Sequence, residues 1–223
     1  MVTKPDDDLA EQLAAAGRAL ARHGLVSAFG HVSARASGHT LLITAPVPLA
    51  TMRPHAVQPL DLDAADLAPG IPREAWIHRA VAVARPNVGA ICRAQPPTAT
   101  ALASAGVPIR PLHGQGSFLG PEVPVHPNPR LVRDEDSAKA LAGTLGTASA
   151  VIMRGNGAVT TGATIGEAVA RMWVLEASAV MNATASGCGT PVPLSEDEQQ
   201  SWRDVAPELL HRIWLHLSRE EES

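Results

Sequence analysis

Tyrosine is missing altogether from the 223 residues, and aromatic side chains make up only 3% of them. No phenol is on hand as acid, base or hydrogen-bond donor. Cysteine is nearly as scarce. Cys92 and Cys188 are too few for a disulfide framework, and Cys92, inside an apolar run at 88–94, reads as a buried structural thiol. Basic runs are also lacking, and the formal net charge is -4, so there is no electrostatic case for a nucleic-acid partner. No apolar stretch approaches the roughly 20 residues that span a bilayer. The N-terminus is acidic and lacks an apolar signal core. These absences predict a cytoplasmic protein with neither nucleic acid nor membrane as partner.

What is there suits a globular fold. Hydrophobic residues are 45% and charged residues 18% of the chain. The length supports one sizeable core, and with no internal repeat, linker or composition break the expectation is one domain over residues 1–223.

Helical spacing of apolar residues predicts helices at 7–23, 73–85, 97–105 and 130–145. Gly24, Pro86 and Gly106 close the first three. A long helix is expected at 164–185, with Thr164 as N-cap and Glu167 completing a capping box. A last one is expected at 197–218, broken or kinked near Pro207. Short apolar runs at 41–44, 88–92, 151–153 and 158–161 read as strands, the last two flanking a turn at 154–157. The segment 27–40 reads as loop with short strands, and 107–129 as mostly irregular. Interleaved helices and strands predict an α/β fold, a sheet covered by helices.

Four segments then carry a resemblance. They are Phe29-Gly30-His31-Val32-Ser33-Ala34-Arg35 followed by Leu42-Ile43-Thr44; Glu74 and His78, leading into 84–90; Arg93-Ala94-Gln95 and the helix after it; and Met153-Arg154-Gly155-Asn156-Gly157-Ala158-Val159, with Glu167 and Glu176 beyond. In this order and spacing, from about residue 9 to about 200, the chain resembles the class II aldolase/adducin family. The resemblance implies a three-layer α/β/α fold around a largely antiparallel sheet. It also implies a homotetramer with active sites near subunit interfaces. In the family's enzymes an acid at the position of Glu74 moves protons. A His-x-His pair and a third histidine hold a divalent metal, usually zinc, that stabilises an enediolate.

Here the three metal positions are Arg93, Gln95 and Asn156. Arginine has no lone pair to offer, and the two amides offer only weak oxygens. The expectation is therefore no metal cofactor. A relocated site using His31, His113, Glu74 or His78 matches no dedicated zinc motif. The phosphate cradle departs too: His31, Pro46-Val47 and Pro72-Arg73 stand where the family's sugar-phosphate enzymes have Asn, Thr-Gly and Ser-Ser. Some family enzymes also use an interface tyrosine as acid.

The expected site has Glu74 as proton carrier with Arg93, Gln95, Asn156 and His113 as catalytic groups. His31, Arg73 and Ser33 would bind substrate. Two guanidiniums suit a small carboxylate or keto substrate without phosphate, and Gln95 and Asn156 would donate to a developing enolate oxygen in place of the metal. The reaction expected is a carbon–carbon lyase step, decarboxylase or retro-aldolase, or a related enolate-forming one. The alternative is a non-catalytic, adducin-like assembly or ligand-binding protein with a vestigial site, marked by a collapsed pocket and Arg93 tied up in a buried salt bridge. Structural roles compete residue by residue. Glu74 suits a first helical turn, Asn156 suits a left-handed turn position, and His78, one turn after Glu74, suits simple packing. Trp173 and Trp214 read as core or interface.

Overall fold

A computed structural model describes residues 5–219. Helix α1 (Pro5–Arg22) leads into strands β1 (His31–Arg35), β2 (Thr40–Thr44) and β3 (Val57–Asp61). Then follow α2 (Ala75–Ala84), β4 (Ala90–Ala94), α3 (Pro97–Ser104), β5 (Val125–His126) and α4 (Glu135–Leu145). Strands β6 (Ala150–Met153) and β7 (Gly157–Gly162) precede α5 (Ile165–Cys188), α6 (Glu196–Arg203) and α7 (Ala206–Ser218). The seven strands form one sheet in the order β3-β2-β1-β4-β7-β6-β5. Every pairing is antiparallel except the parallel β5–β6 edge.

Each face of the sheet carries its own core. On one side Leu13, Leu20, Ala99, Val169, Leu175 and Leu210, from α1, α3, α5 and α7, pack with Val32, Cys92 and Ala158 of the strands. On the other, Ile77, Val81, Leu141 and Leu145 of α2 and α4 pack on Ile43, Ile91, Val151 and Val159. That is the three-layer arrangement. Successive side chains of a strand point to opposite faces. With Val32 and Ala34 toward the first core, His31 and Ser33 fall on the α2 face, and with Cys92 and Ala94 there, Arg93 joins them. His31 and Arg93 are register partners across β1 and β4. Alternation thus brings three polar residues under one helix.

Several expected boundaries shift. Segment 27–40 contains a buried central strand, and β3 was not foreseen because Pro59 interrupts its donors, which an edge strand tolerates. The strand expected at 88–92 runs to Ala94, so Arg93 is inside it rather than beyond it. Helix 130–145 begins only at Glu135, where Asp134 caps by accepting from the Ser137 N–H. Residues 130–134 are loop. The last helix is two, broken at 204–205, with Pro207 in the first turn of α7. Thr164 does cap α5, but the Glu167 carboxylate takes the Ala163 N–H rather than that of Thr164. Cys92 is fully buried, and burial pushes its thiol up to about 12. Trp173 and Trp214 pack against the first core. Among the described residues no helix is long and apolar enough to cross a membrane.

The β6–β7 turn has a tight constraint. Gly155 and Gly157 have φ of +73° and +96°, whereas Asn156 between them does not have a positive φ. The left-handed conformation expected at Asn156 belongs to its neighbours. A Cβ on Gly157 would lie 2.2 Å from the Ala94 carbonyl oxygen, so glycine there lets the turn close onto β4. Gly157→Ala is therefore expected to destabilise the fold by more than ~1 kcal/mol. Gly155→Ala, whose nearest contact would be Pro129 Cβ at 3.9 Å, should destabilise less. Urea unfolding midpoints of the two variants check the order.

Candidate active site

A cavity of about 600 Å³ opens where the ends of β1 and β4 meet the start of α2, the 130–134 loop and the β6–β7 turn. That size suits a small molecule. His31, Arg73, Glu74, Arg93, Gln95 and Asn156 all line it, so six of the eight expected residues converge. Its apolar walls come from Phe29, Pro46, Val47, Ile71 and Leu131 among others.

Two expected residues lie elsewhere. His113 precedes a 3-10 turn at Gly114–Leu119, and its Nε2 is 3.0 Å from Ser178 Oγ of α5. It does not line the cavity of this chain, because the 107–129 segment packs against α5 and α6 instead. Ser33 is fully buried and lies behind the cavity, its Oγ 2.7 Å from Nδ1 of His78. It is held further along β1 than the cavity reaches. Conversely, Arg133 was missed. It lines the cavity from the 130–134 loop, and its Nε donates to Glu74 Oε1 at 3.0 Å. Reading that loop as helix hid it. The arginine itself, close after Pro127 and Pro129 in an irregular stretch, was the available signal.

Glu74 caps the start of α2 by position, though its side chain does not bond the helix N-terminus. Burial alone would push its carboxyl up. The Arg133 hydrogen bond, its own backbone N–H, the Arg133 charge and His31 together outweigh that and hold it below the usual value. Glu74 is thus a carboxylate at neutral pH, an acceptor ready to take a proton.

Arg93 is only 3% exposed. Its Nη2 donates to the backbone oxygen of Asn156 at 3.1 Å and to its Oδ1 at 2.8 Å. Its Nε is buried without a partner among the described residues. Burial lowers its pKa, but from so high an ordinary value that it stays charged. Among the described residues no carboxylate bonds it: Glu74 pairs with Arg133. The cavity is open, with charged side chains set among its apolar walls, and not collapsed around a buried ion pair, contrary to what a vestigial site would show.

His31 is held down to about 4, first by burial and then by the Arg93 charge, against a smaller opposing pull from Glu74. His78 is held lower than usual too, by burial, His31 and Arg93. Both rings are neutral at pH 7.

The side chains at the position of a metal do not fit one. A guanidinium donates only and carries a like charge. Asn156 already turns its Oδ1 to Arg93. Among the described residues no three His, Cys, Asp or Glu side chains are grouped to hold an ion.

Comparison with known proteins agrees with the fold. The family described as Class II Aldolase and Adducin N-terminal domain matches residues 11–183. A 3,4-dihydroxyphthalate decarboxylase of Arthrobacter keyseri is 31% identical over 71% of this chain and 71% of that protein. Its counterpart from Terrabacter sp. (strain DBF63) is 29% identical over 92% of this chain and 93% of its own length. Among solved structures, the L-fuculose-1-phosphate aldolase of Thermus thermophilus superposes with a TM-score of 0.71 at 30% identity, over 81% of this chain and 97% of that one.

The neutral histidines predict an acid-sensitive fold. Unfolded His31 takes up a proton below its ordinary 6.5, while the folded ring resists until about 4. Between those values the unfolded state binds the extra proton, so stability falls as pH drops, by about 3 kcal/mol from His31 alone. His78 adds in the same direction. Urea titrations from pH 7 to 4 should show a shallower loss for His31→Asn than for the native chain.

Proposed function

We propose that this chain, which belongs to the class II aldolase and adducin family and is a lyase-type enzyme within it, decarboxylates a small aromatic dicarboxylate bearing a hydroxyl group next to the leaving carboxylate. The observation that carries the reading is the charge of the cavity. Arg73, Arg93 and Arg133 face one carboxylate, Glu74, so three positive charges less one negative leave a surplus of two. A dianion balances it. The walls of Phe29, Pro46, Val47, Ile71 and Leu131 suit a flat apolar ring. The names of the curated relatives point to the same class, since 3,4-dihydroxyphthalate is an aromatic dicarboxylate with adjacent hydroxyls.

The proton steps follow from what the residues are. The Glu74 carboxylate takes the proton of the hydroxyl beside the leaving group, giving a phenolate. That oxygen pushes electron density to the ring carbon that bears the carboxylate, and Glu74 returns its proton to that carbon. The ring is then a ketone form. The bond between ring carbon and carboxylate breaks, its electron pair returns through the ring to the oxygen, and CO2 leaves. One carboxylate charge becomes one phenolate charge, and the phenolate takes a proton from water. Arg93, with donor hydrogens fixed by its hold on Asn156, stabilises the oxygen charge without moving at the moment of reaction. Gln95 adds an amide donor. Arg73 and Arg133 bind the carboxylate that remains. We take the reaction to run without a bound metal, because the guanidinium occupies the electrophile's place.

A homotetramer in the cytoplasm belongs to the same proposal. Phe29 and Leu131 at the cavity rim are 66% and 51% exposed, which suits a site finished by a neighbouring subunit.

Following CO2 release from 3,4-dihydroxyphthalate tests this reading. The native chain should turn it over. Glu74→Gln should lose about 10²- to 10⁴-fold in kcat while still binding the substrate. Equal turnover by the variant would remove Glu74 from the proton steps, and no turnover by the native chain would remove the substrate class.

A further inference from the structure

His31 and His78 meet behind the cavity from different elements. Their rings stand edge to face, 6.1 Å between centroids. His31 lines the cavity, and His78 is fully buried beneath it. On its far side His78 Nδ1 lies 2.7 Å from Ser33 Oγ. The two remaining inward nitrogens, His78 Nε2 and His31 Nδ1, are buried and have no partner among the described residues. Orphaned polar atoms are costly in a core, and these two belong to rings in contact.

Counting donors places the protons. Ser33 is fully buried, and His78 is the hydrogen-bond partner of its hydroxyl. Were Nδ1–H to donate to Oγ, the hydroxyl proton would be left buried without an acceptor, which a core disfavours. Donation from the hydroxyl to Nδ1 avoids this and puts the His78 proton on Nε2. That N–H needs an acceptor. Arg93, the charged neighbour of both rings, has only donors to offer. Nδ1 of His31 is the complementary atom, which one bridging water would join to that N–H, since the two nitrogens make no direct hydrogen bond. As an acceptor it carries no proton, so the His31 proton sits on Nε2, the ring nitrogen left for the cavity.

We propose that the Ser33–His78 pair fixes His31 in the tautomer protonated on Nε2, so that His31 offers the substrate a neutral hydrogen-bond donor. Its ligand is then an acceptor oxygen, a phenolate or carboxylate. Glu74 beside it only accepts. The two divide the work: Glu74 takes the proton of one hydroxyl, and His31 holds an oxygen already bearing charge. Ser33 and His78 are positioning residues. The donor role rests on the cavity being the substrate site proposed above, whereas the tautomer does not depend on it. A neutral ring suits this role, since burial and Arg93 keep His31 from charging.

Imidazole nitrogen–proton correlation spectra of 15N-histidine-labelled protein at pH 7.5 test this. The native chain should show neutral His31 with its proton on Nε2, and 3,4-dihydroxybenzoate should shift that resonance. His78→Phe should give a mixture of tautomers, and His78→Gln, which keeps an N–H donor, should restore the Nε2–H form. Ser33→Ala, a smaller change, should loosen the tautomer of His78 and with it that of His31. A His31 proton on Nδ1 in the native chain, or an unaltered tautomer in both His78→Phe and Ser33→Ala, would overturn the proposal. A Nε2–H resonance unmoved by saturating dihydroxybenzoate would overturn the donor role. Failure of the decarboxylase reading shows separately, as absent CO2 release with the tautomer still fixed.

Discussion

The hold of Asn156 on Arg93 is the interaction on which the rest of the site depends. A guanidinium in a central strand, nearly without solvent, is tolerable only if its donors are met. Asn156 meets Nη2 with two oxygens while Nε stays without a partner among the described residues, and Asn156 reaches the cation because Gly157 lets the β6–β7 turn lie against the end of β4. The turn, the strand end and the charge are one arrangement. Its electrostatic consequences spread outward, since the cation helps keep His31 and His78 neutral; Glu74 across the cavity is kept ionised by Arg133 instead.

That arrangement supports the proposal that a lyase scaffold works with these side chains. A divalent cation and a guanidinium both stabilise developing negative charge on oxygen. They differ in direction and in demand. The metal needs lone pairs from several ligands, whereas arginine supplies its own charge and a planar set of donors and needs acceptors to hold it. The amides at the other two former ligand positions fit that reversal. Asn156 turns an oxygen toward the cation, and Gln95 keeps both donor and acceptor at the cavity wall.

Much of this was legible in the sequence, and unevenly so. Apolar periodicity located most helices, and the family motifs drew Glu74, Arg93, Gln95, Asn156, His31 and Arg73 to one cavity. What periodicity could not supply was the path of irregular backbone. His113 lies in a Gly- and Pro-rich stretch whose course is set by packing against α5, so a conspicuous loop histidine became a half-buried contact of Ser178. Arg133 was hidden by a helix start placed at about residue 130 rather than at Glu135. Ser33 and His78 were legible singly, but their bond across β1 and α2 depends on sheet register and helix placement together, which no local pattern encodes.

The central claim is that the Arg93 cation, not a metal, serves as the electrophile. Activity of exhaustively chelated protein, with metal content measured on the same sample, tests it most directly. The account predicts undiminished CO2 release from 3,4-dihydroxyphthalate at negligible metal content. Activity that disappears with the metal and returns stoichiometrically on adding zinc or another divalent ion would contradict it.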